Sequence, residues 1–435
     1  MSFEIPFSHI AEIIMGQSPK GEEVNNEGIG LPLLNGPTEF TDRYPAPVQH
    51  TAYAKKISLP GDILFCVRGS TTGRMNYSDQ KYCIGRGLAA IRGRNGYPTP
   101  YVKAVLETYL PKLLAAATGS TFPNVSKDLI NNIPVSVLPV ENACNISKLI
   151  ELQEEKVFTN NQINQTLEQM AQALFKSWFV NFEPVKAKMA VLEAGGSQED
   201  AMLAAMTAIS GKDDDALVVF EREHPEQYAE LKATAELFPS AMQDSELGNI
   251  PVTWELGKLQ DLLVLQRGFD LPSSARKDGE FPLIAASGPN GTHNVAMAKA
   301  PGVITGRSGV LGKVYLTLED YWPLNTTLWV KEFKRATPCY AYELLRLLDM
   351  KAFNAGSAVP SLNRNHIHSL SYPLPPMALV NLFESSALLL HQRAHVNLKH
   401  SQSLALLRDT FLPKLLSGEI TLPEAEQAVS EAENV

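Results

Sequence analysis

Two long stretches of the chain carry apolar residues at a helical spacing. The first, residues 145–182, is rich in Glu, Gln, Lys, Leu and Ala and contains no Pro or Gly. This composition predicts a helix of about 35 residues, roughly 50 Å long. Its apolar residues fall on the a and d positions of a seven-residue repeat, which is typical of one half of a coiled coil. The seam consists of Ile146, Ile150, Val157, Leu167, Ala171, Leu174 and Trp178, interrupted by the polar Gln153, Asn160 and Asn164.

The second stretch, residues 379–416, repeats the first at a separation of 237 residues. At this separation Asn160 aligns with Asn397 and Leu167 with Leu404. The same separation relates residues 119–139 to residues 356–376. Self-similarity of this kind indicates one structural unit written twice, a globular domain followed by a long helix.

Two such units are most simply related by a pseudo-two-fold axis, so the helices should run antiparallel and bury each other's seams. The expected fold is α+β, with two globular mixed α/β domains separated by a long antiparallel two-helix coiled coil, like a dumb-bell. The midpoints of the helices fall near Asn160 and Asn397. We predict that these two residues meet at the crossing point and fix the helix register, as buried polar residues do in coiled coils. Two solvated asparagines on unrelated faces remain the alternative.

Breaks in composition predict the domain boundaries. They separate residues 1–140 (first globular domain), 141–182 (first long helix), 183–250 (acidic connector), 251–376 (second globular domain), 377–418 (second long helix) and 419–435 (acidic tail). Within these segments the patterns predict strands at 56–65, 87–92, 279–286 and 321–331, and shorter helices at 100–117, 199–209 and 225–237. The connector is either a protein-binding piece or a solvated linker.

Charge is distributed unevenly along the chain. The formal charge is −9, yet residues 193–246 alone contain 13 acidic and 3 basic residues. Residues 53–103 contain nine basic residues and two acidic ones. A basic region in an acidic protein is what phosphate contacts require, although a solvated face without a partner has the same composition.

The basic region includes a loop rich in glycine, hydroxyls and arginine, GDILFCVRGSTTGR at residues 61–74, and GVITGRSGVLGKV at 302–314 resembles it. Arg68 and Arg307 are 239 residues apart, as are Arg74 and Lys313. Glycine allows close backbone approach, hydroxyls reach phosphate, and arginine can contact a guanine edge. The candidate DNA-contacting residues are Arg68, Ser70, Thr72, Arg74 and Arg86 in the first domain, and Arg307, Ser308, Lys313 and Arg364 in the second.

Catalytic motifs do not fit the chain. GRSGVLGKV fails as a phosphate-binding loop because Arg307 and Val314 occupy the places of its first glycine and its hydroxyl. Glu154, in the first long helix, is expected on an exposed face rather than in a nuclease site. His391 and His395 lack the glutamate of a zinc-protease motif, and the four cysteines form no C-x-x-C pair. No segment is long and apolar enough to span a bilayer, so a cytoplasmic location is expected.

The chain resembles the specificity subunit of Type I restriction-modification systems. The resemblance covers the whole chain and depends on PGDILFCVRGSTTG, LFKSWFVNFEPVKAKM, DSELGNIPVTWELGKL and TFLPKLLSGEI. It implies two target-recognition domains that read the two halves of a split, asymmetric site in double-stranded DNA. It also implies helices that set the gap and dock two methyltransferase subunits, with restriction and translocase subunits joining the complex. No catalytic residue, metal or cofactor is then expected in this chain, because S-adenosylmethionine, ATP and magnesium would bind the partner subunits.

Two other classes of function remain to be tested against this reading. A coiled-coil adaptor without sequence-specific readout would show no base preference when it binds DNA with its partners. An enzyme would modify or cut DNA by itself, and the motifs for this are missing.

Overall fold

The structure is a computed structural model that describes residues 3–118, 123–353, 360–421, 423–424 and 427. The chain divides into two compact units. The first unit is Met1–Ile163 with Asn397–Val435, and the second is Asn164–Val396. Each unit contains one globular α/β domain and one part of each long helix.

Helices and strands alternate irregularly, as expected for a mixed α/β protein. In chain order the helices are α1 (Thr99–Ala115), α2 (Lys127–Asn132), α3 (Val140–Phe179), α4 (Glu183–Glu193), α5 (Gln198–Ser210), α6 (Asp214–Glu223), α7 (Pro225–Glu236), α8 (Leu259–Leu262), α9 (Pro338–Leu347), α10 (Arg364–His368) and α11 (Met377–Ser417). The strands of the first unit are β1 (Phe3–Pro6), β2 (Ala11–Met15), β3 (Leu31–Leu34), β4 (Gln49–Thr51), β5 (Ile57–Ser58), β6 (Ile63–Cys66), β7 (Met75–Tyr77), β8 (Tyr82–Ile84), β9 (Leu88–Gly93) and β10 (Pro134–Val137). Those of the second unit are β11 (Met242–Gln243), β12 (Ile250–Pro251), β13 (Glu255–Lys258), β14 (Leu263–Arg267), β15 (Phe281–Ala285), β16 (Gly288–His293), β17 (Gly302–Gly306), β18 (Val314–Thr317), β19 (Trp322–Pro323), β20 (Thr327–Phe333) and β21 (Ser371–Leu374).

The globular domain of the first unit is built on two four-stranded sheets. One has the order β2-β9-β6-β7 and the other β4-β3-β8-β5, in which β3 and β8 are parallel. Strand β6 is buried at all four positions. Alternate side chains of a strand point to opposite faces, and accordingly Ile63 and Phe65 enter one hydrophobic cluster while Leu64 and Cys66 enter another. This explains why β6 is uniformly apolar.

The globular domain of the second unit repeats this topology. Its main sheet has the order β14-β20-β17-β18, and β15 pairs with β16 antiparallel and with β19 in parallel. Strands β13 and β21 pair antiparallel, as β1 and β10 do in the first unit. The predicted fold class, with its duplicated mixed α/β domains, is therefore confirmed.

The long helices pack against each other in antiparallel fashion within each unit. In the first unit, Ile146 and Ile150 of α3 share a core cluster with Leu412 and Leu415 of α11. In the second unit, the ring of Phe175 lies 5.5 Å from that of Phe383. The predicted seam of α3 thus faces α11 in both units, and α3 extends over 40 residues.

The acidic connector is a small helical bundle rather than an extended linker. Helices α5 and α7 match the two predicted helices, and α4 and α6 are additional. Ala205, Met206, Leu217 and Ala235 form its core. The Lys188 amine donates hydrogen bonds to the carbonyl oxygens of Ala235 (2.7 Å) and Phe238 (2.6 Å). Burial lowers the pKa of Lys188.

Two predicted strands are interrupted by turns. The 56–65 segment forms β5 and β6 with a turn at Gly61 between them, and the 321–331 segment forms β19 and β20. Gly61 has φ of +86°, a conformation that favours glycine. Residues 119–122 and 354–359 and most of the 419–435 tail lie outside the described residues. In the described part of the chain, no helix combines the length and apolarity that crossing a membrane requires.

Candidate nucleic-acid interface

The first candidate loop connects β6 to β7 and is closed at its base by the backbone. The amide of Cys66 donates to the Arg74 carbonyl and the amide of Gly73 donates to the Cys66 carbonyl, both at 2.9 Å. Gly73 has φ of +96°, and a Cβ added there would lie 3.1 Å from Leu110. Arg68, Ser70 and Arg74 are exposed on this loop. Three of the predicted DNA-contacting side chains are thus presented together.

A second segment of the chain, residues 123–125, holds this loop against the domain, and we call this segment the strap. The amide of Val125 donates to the Val67 carbonyl at 2.8 Å, and the amide of Gly69 to the Pro123 carbonyl at 3.3 Å. The Thr72 hydroxyl lies 2.7 Å from the carbonyl oxygen of Gly69 and 2.8 Å from that of Pro123. Because its proton is used inside the protein, Thr72 positions the loop rather than presenting a free donor.

The second domain has the same arrangement. Its loop lies between β17 and β18, and its strap is formed by residues 360–362. The amide of Gly309 donates to the Pro360 carbonyl at 3.0 Å, and the amide of Leu362 to the Arg307 carbonyl at 2.9 Å. Lys313 is exposed, whereas Arg307 and Ser308 are half-buried. Both domains therefore hold the candidate loop to its neighbouring segment through two matching backbone hydrogen bonds.

The loop of the second domain is one residue shorter, which changes one predicted correspondence. Arg68 forms a β-bridge with Asn124 in the strap of the first domain. In the second domain Ser308 forms the equivalent β-bridge with Ser361. Arg68 therefore corresponds to Ser308 and not to Arg307. The deletion lies within the loop, because Arg74 and Lys313 both accept the closing hydrogen bond and keep the predicted 239-residue separation. Equal spacing of two arginines in the sequence hid the shift.

The remaining candidates lie near these loops within their own domains. Arg86 is exposed on the turn between β8 and β9. A guanidinium nitrogen of Arg364, at the start of α10, approaches the Leu265 carbonyl at 3.5 Å, and one of Arg307 approaches the Asn325 carbonyl at 3.5 Å. His368 accepts a hydrogen bond from the Leu265 amide at 2.9 Å. Burial, followed by Arg364 and Lys334, lowers the pKa of His368, which suits this structural role.

Two of the nine basic residues in the 53–103 segment are used inside the fold. Arg92 pairs with the buried Asp62 at 2.7 Å. Burial raises the pKa of Asp62, and the Leu59 amide and Arg92 oppose this effect. Lys103 on α1 contacts Glu154 at 2.7 Å and Glu107 at 2.9 Å. The basic surface is therefore smaller than the sequence count indicates.

Glu154 corrects a second expectation from the sequence. It was expected on an exposed face of the first long helix, but its side chain is only 12% exposed and joins α3 to α1 through Lys103. Burial alone would lower the pKa of Lys103, but the charges of Glu107 and Glu154 outweigh it and raise that pKa. This ion pair anchors the globular domain of the first unit to the helix.

Asn160 and Asn397 meet in the first unit. Both are buried, with 4% and 6% of their surface exposed. The Asn160 amide nitrogen donates to the Ser401 hydroxyl at 3.1 Å and lies 3.4 Å from the Asn397 carbonyl oxygen. These contacts cross between α3 and α11 at the position that the sequence offset indicates. Their role in register remains a prediction.

Several other chemically active side chains are buried in the fold. His391 is 7% exposed and packs on Tyr342 with ring centroids 5.4 Å apart. Burial, followed by Arg346, lowers the pKa of His391 to about 4. Cys66, Cys83 and Cys339 are buried. Among the described residues, no three His, Cys, Asp or Glu side chains gather as a metal site would require.

Comparisons with known proteins agree with this arrangement. Residues 5–169 match the family model of the Type I restriction modification DNA specificity domain. The HindI specificity subunit of Haemophilus influenzae is 28% identical over 408 residues, covering 84% of this chain and 88% of the relative. The MjaIX specificity subunit of Methanocaldococcus jannaschii is 21% identical over 384 residues, covering 85% of this chain and 80% of that protein.

A solved structure supports the fold over the whole length. The S subunit of a Type I restriction-modification system from M. genitalium superposes with a TM-score of 0.55 and 14% identity, covering 95% of this chain and 96% of that one. At this identity the likeness concerns the fold alone. The domain match over residues 5–169 and the two relatives that cover most of the chain show that this chain is similar to Type I restriction-modification specificity subunits along its length.

Proposed function

We propose that this chain is the sequence-specific DNA-recognition subunit of a Type I restriction-modification complex. It reads a split, asymmetric site with its two recognition domains, and it has no catalytic role. Methyl transfer and cleavage, with S-adenosylmethionine, ATP and magnesium, belong to partner subunits. The relatives that match most of its length are named as specificity subunits of restriction enzymes. The complex works in the cytoplasm.

The observation that carries the proposal is the repetition of one backbone scaffold with different exposed side chains. In both domains the candidate loop is hydrogen-bonded to the strap. One loop nevertheless carries Arg68 and Ser70 where the other carries Ser308. Base identity is read by side chains in the grooves, while backbone geometry only positions them. Two domains with the same backbone scaffold and different exposed side chains suit a DNA site whose two halves have different sequences.

The long helices are suited to fix the distance between the two half-sites. A continuous helix of 40 residues is about 60 Å long. Half-sites one turn of DNA apart are separated by roughly 34 to 36 Å, so the helix is long enough to set such a gap. A pseudo-two-fold helix pair also offers two similar faces, which predicts two methyltransferase subunits per chain. Restriction and translocase subunits then join this core.

DNA contacts are assigned to exposed and half-exposed residues of the two loops and their surroundings. Arginine suits guanine edges and phosphate, and serine and lysine suit phosphate. Each phosphate contact that is lost should reduce the salt dependence of binding by about one unit of slope. The assigned residues are Arg68, Ser70, Arg74 and Arg86 in the first domain, and Arg307, Ser308, Lys313 and Arg364 in the second.

The proposal is tested by mapping methylated bases in cells with and without this gene. A split motif that disappears on deletion is the expected result. Exchanging residues 1–140 for those of a relative should then change one half of the motif and leave the other half and the gap unchanged. A coiled-coil adaptor without base readout would leave the map unchanged on deletion. A change in both halves would contradict the assignment of one half-site to each domain.

A further inference from the structure

Three loops of the first domain converge beside Arg86. The amides of Gly16 and Gln17, after β2, donate to the carbonyls of Leu88 (2.9 Å) and Ile84 (2.8 Å). The amide of Gly85, after β8, donates to the Leu34 carbonyl at 2.8 Å. These bonds gather the loops that follow β2, β3 and β8 around a cleft of about 370 Å³, whose lining includes Ser18, Asn35 and Gln49.

Ser18 holds the side chain of Asn35 at the edge of this cleft. Its hydroxyl donates to Asn35 Oδ1 at 3.2 Å and accepts from the Arg86 amide at 3.1 Å. Asn35 is exposed, and its Nδ2 donates to no other described residue. A Cβ added at Gly85 would lie 2.3 Å from Asn35 Oδ1 and 2.9 Å from Ser18 Oγ. The glycine therefore keeps room for a side-chain amide whose two NH groups meet no partner among the described residues.

The second domain has the same convergence of loops. The amides of Gly268 and Phe269 donate to the carbonyls of Thr327 (3.0 Å) and Pro323 (2.8 Å), and the amide of Leu324 donates to the Ile284 carbonyl at 2.9 Å. Matching these bonds one to one with those of the first domain sets three side chains in correspondence. Ser18, Asn35 and Arg86 correspond to Asp270, Ala285 and Asn325, respectively.

An asparagine is therefore present in both domains, but at different places. In the second domain Asn325 occupies the position of Arg86, and its Nδ2 donates to the carboxylate of Asp270. In each domain the third residue past the end of β2 or β14 orients the asparagine, Ser18 in one and Asp270 in the other. In each case at least one amide NH and one lone pair of Oδ1 remain available.

We propose that Asn35 and Asn325 are specificity-determining residues that each read an adenine in the major groove, with Ser18 and Asp270 as positioning residues. The inference rests on the proposed function. An asparagine amide accepts a hydrogen bond from adenine N6 and donates one to N7, a pairing that distinguishes adenine from the other bases. Ser18 uses one lone pair of Asn35, and Asp270 uses one NH of Asn325. Both arrangements leave the groups that this pairing needs.

The test measures methylation of a DNA library with randomised half-sites by the complete complex. The complex contains wild-type chain, Asn35→Ala, Asn325→Ala or the control Asn145→Ala, which makes the same change at an exposed position of α3. Asn35→Ala should reduce the preference for adenine about ten- to hundredfold at one position of the first half-site. Asn325→Ala should do the same in the second half-site, and the control should change neither. The first half-site is the one that changes when residues 1–140 are exchanged.

Failure of this inference is distinct from failure of the proposed function. If wild-type chain yields no split motif, the proposed function is wrong. If the split motif is present and both alanine variants keep every position equally stringent, the inference is overturned. It is also overturned if either variant lowers methylation of all sites alike while its thermal unfolding matches wild type, because this outcome indicates a contact without base readout.

A change of base preference gives a stricter test. Asn35→Asp replaces the donor of the amide with a second acceptor, and a carboxylate accepts from cytosine N4. The preferred base at the affected position should then change from adenine to cytosine. For the positioning role, Ser18→Ala should relax the same single position as Asn35→Ala, and Ser18→Thr should restore it. Equal loss at every position in Ser18→Ala, rescued or not, would assign Ser18 a purely structural role.

Discussion

The two globular domains share a backbone scaffold and differ in the side chains that this scaffold exposes. Both main sheets have the same strand order, and both candidate loops are closed and strapped by equivalent backbone hydrogen bonds. The exposed positions differ, with Arg86 in one domain where Asn325 stands in the other. Backbone bonds do not depend on side-chain identity, so the scaffold can persist while the presented residues change. Specificity can therefore be altered without rebuilding the fold.

The attachment of each domain to the long helices differs in the same way. The N-caps of α1 and α9, Pro98 and Thr337, are 239 residues apart, which sets Lys103 in correspondence with Tyr342. The helix offset of 237 sets Glu154 in correspondence with His391. The first pair is an ion pair at 2.7 Å, and the second is an edge-on ring contact at 5.4 Å. Equivalent positions at the two junctions thus hold different kinds of contact, an ion pair in the first unit and a ring contact in the second.

This contrast can be measured in one molecule because all four tryptophans of the sequence lie in the second unit. Trp178 packs on Phe238 and Phe383, and Trp254 packs on Phe179. Tryptophan fluorescence therefore reports unfolding of the second unit, while far-ultraviolet circular dichroism reports both. Changes at the two junctions can be assigned to their own unit.

The largest effect is expected from removing the cation of the first junction. Lys103→Met leaves Glu107 and Glu154 facing each other without the amine that both contact, and the Lys103 side chain is only 11% exposed. Loss of one partner from a buried ion pair costs about 3 kcal/mol or more of the free energy of unfolding. Urea unfolding followed by circular dichroism should show this loss in the first unit.

The matched control is Lys112→Met, which makes the same change at an exposed position of α1 and should alter the free energy of unfolding by less than about 0.5 kcal/mol. The tryptophan transition should not move in Lys103→Met. If Lys103→Met costs no more than Lys112→Met, the ion pair does not stabilise the junction, and the contrast with the second unit disappears.

The features that the sequence predicts are those encoded by local repetition. The heptad spacing of apolar residues is sufficient to predict α3 and α11, and one constant offset predicts the duplicated domains and the meeting of Asn160 with Asn397. The Lys103–Glu154 pair was not predictable in this way, because its partners are 51 residues apart and Glu154 is followed directly by a second glutamate. Its position next to the seam residue Gln153 was the available signal.

Contacts between loops were equally hidden from the sequence. The one-residue deletion that sets Arg68 opposite Ser308 changes no local pattern, because an arginine happens to stand at the neighbouring position. The convergence of Ser18, Asn35 and Arg86 depends on hydrogen bonds between strands distant in sequence. Basic and glycine-rich composition can suggest a DNA-contacting loop, but only strand pairing shows which other residues stand beside it.

An intermediate effect is expected at the second junction, and it depends on pH. Glu343 on α9 is 1% exposed and contacts Arg346 at 3.3 Å. Burial, opposed in part by Arg346, raises its pKa to about 7 from 4.5. The folded state therefore holds this proton more tightly than the unfolded state. Its contribution to stability is complete below pH 4.5 and is lost as the pH rises through about 7.

Glu343→Gln removes this titration and keeps the shape of the side chain. Relative to wild type, its free energy of unfolding should increase by about 2 kcal/mol between pH 4.5 and pH 7.5, read by tryptophan fluorescence. The opposite effect of His391, whose stabilisation is lost as the pH falls from 6.5 to about 4, is present in both proteins and largely cancels in the difference. The exposed Glu332→Gln is the control. A difference that is independent of pH would show that Glu343 ionises equally well in the folded and unfolded states.

The smallest effect is expected where the two long helices meet. Asn160→Leu replaces a buried amide with an aliphatic side chain and leaves the Ser401 hydroxyl bonded to the Asn397 carbonyl at 2.9 Å. A polar residue in a coiled-coil seam fixes register at the expense of stability, so the variant should be more stable by about 1 kcal/mol. Circular dichroism during urea unfolding measures this, with Asn145→Leu as the exposed control on the same helix. A loss of stability would show that Asn160 holds the helices together. A gain accompanied by a less strictly fixed gap in the methylated motif would instead show that it sets their alignment.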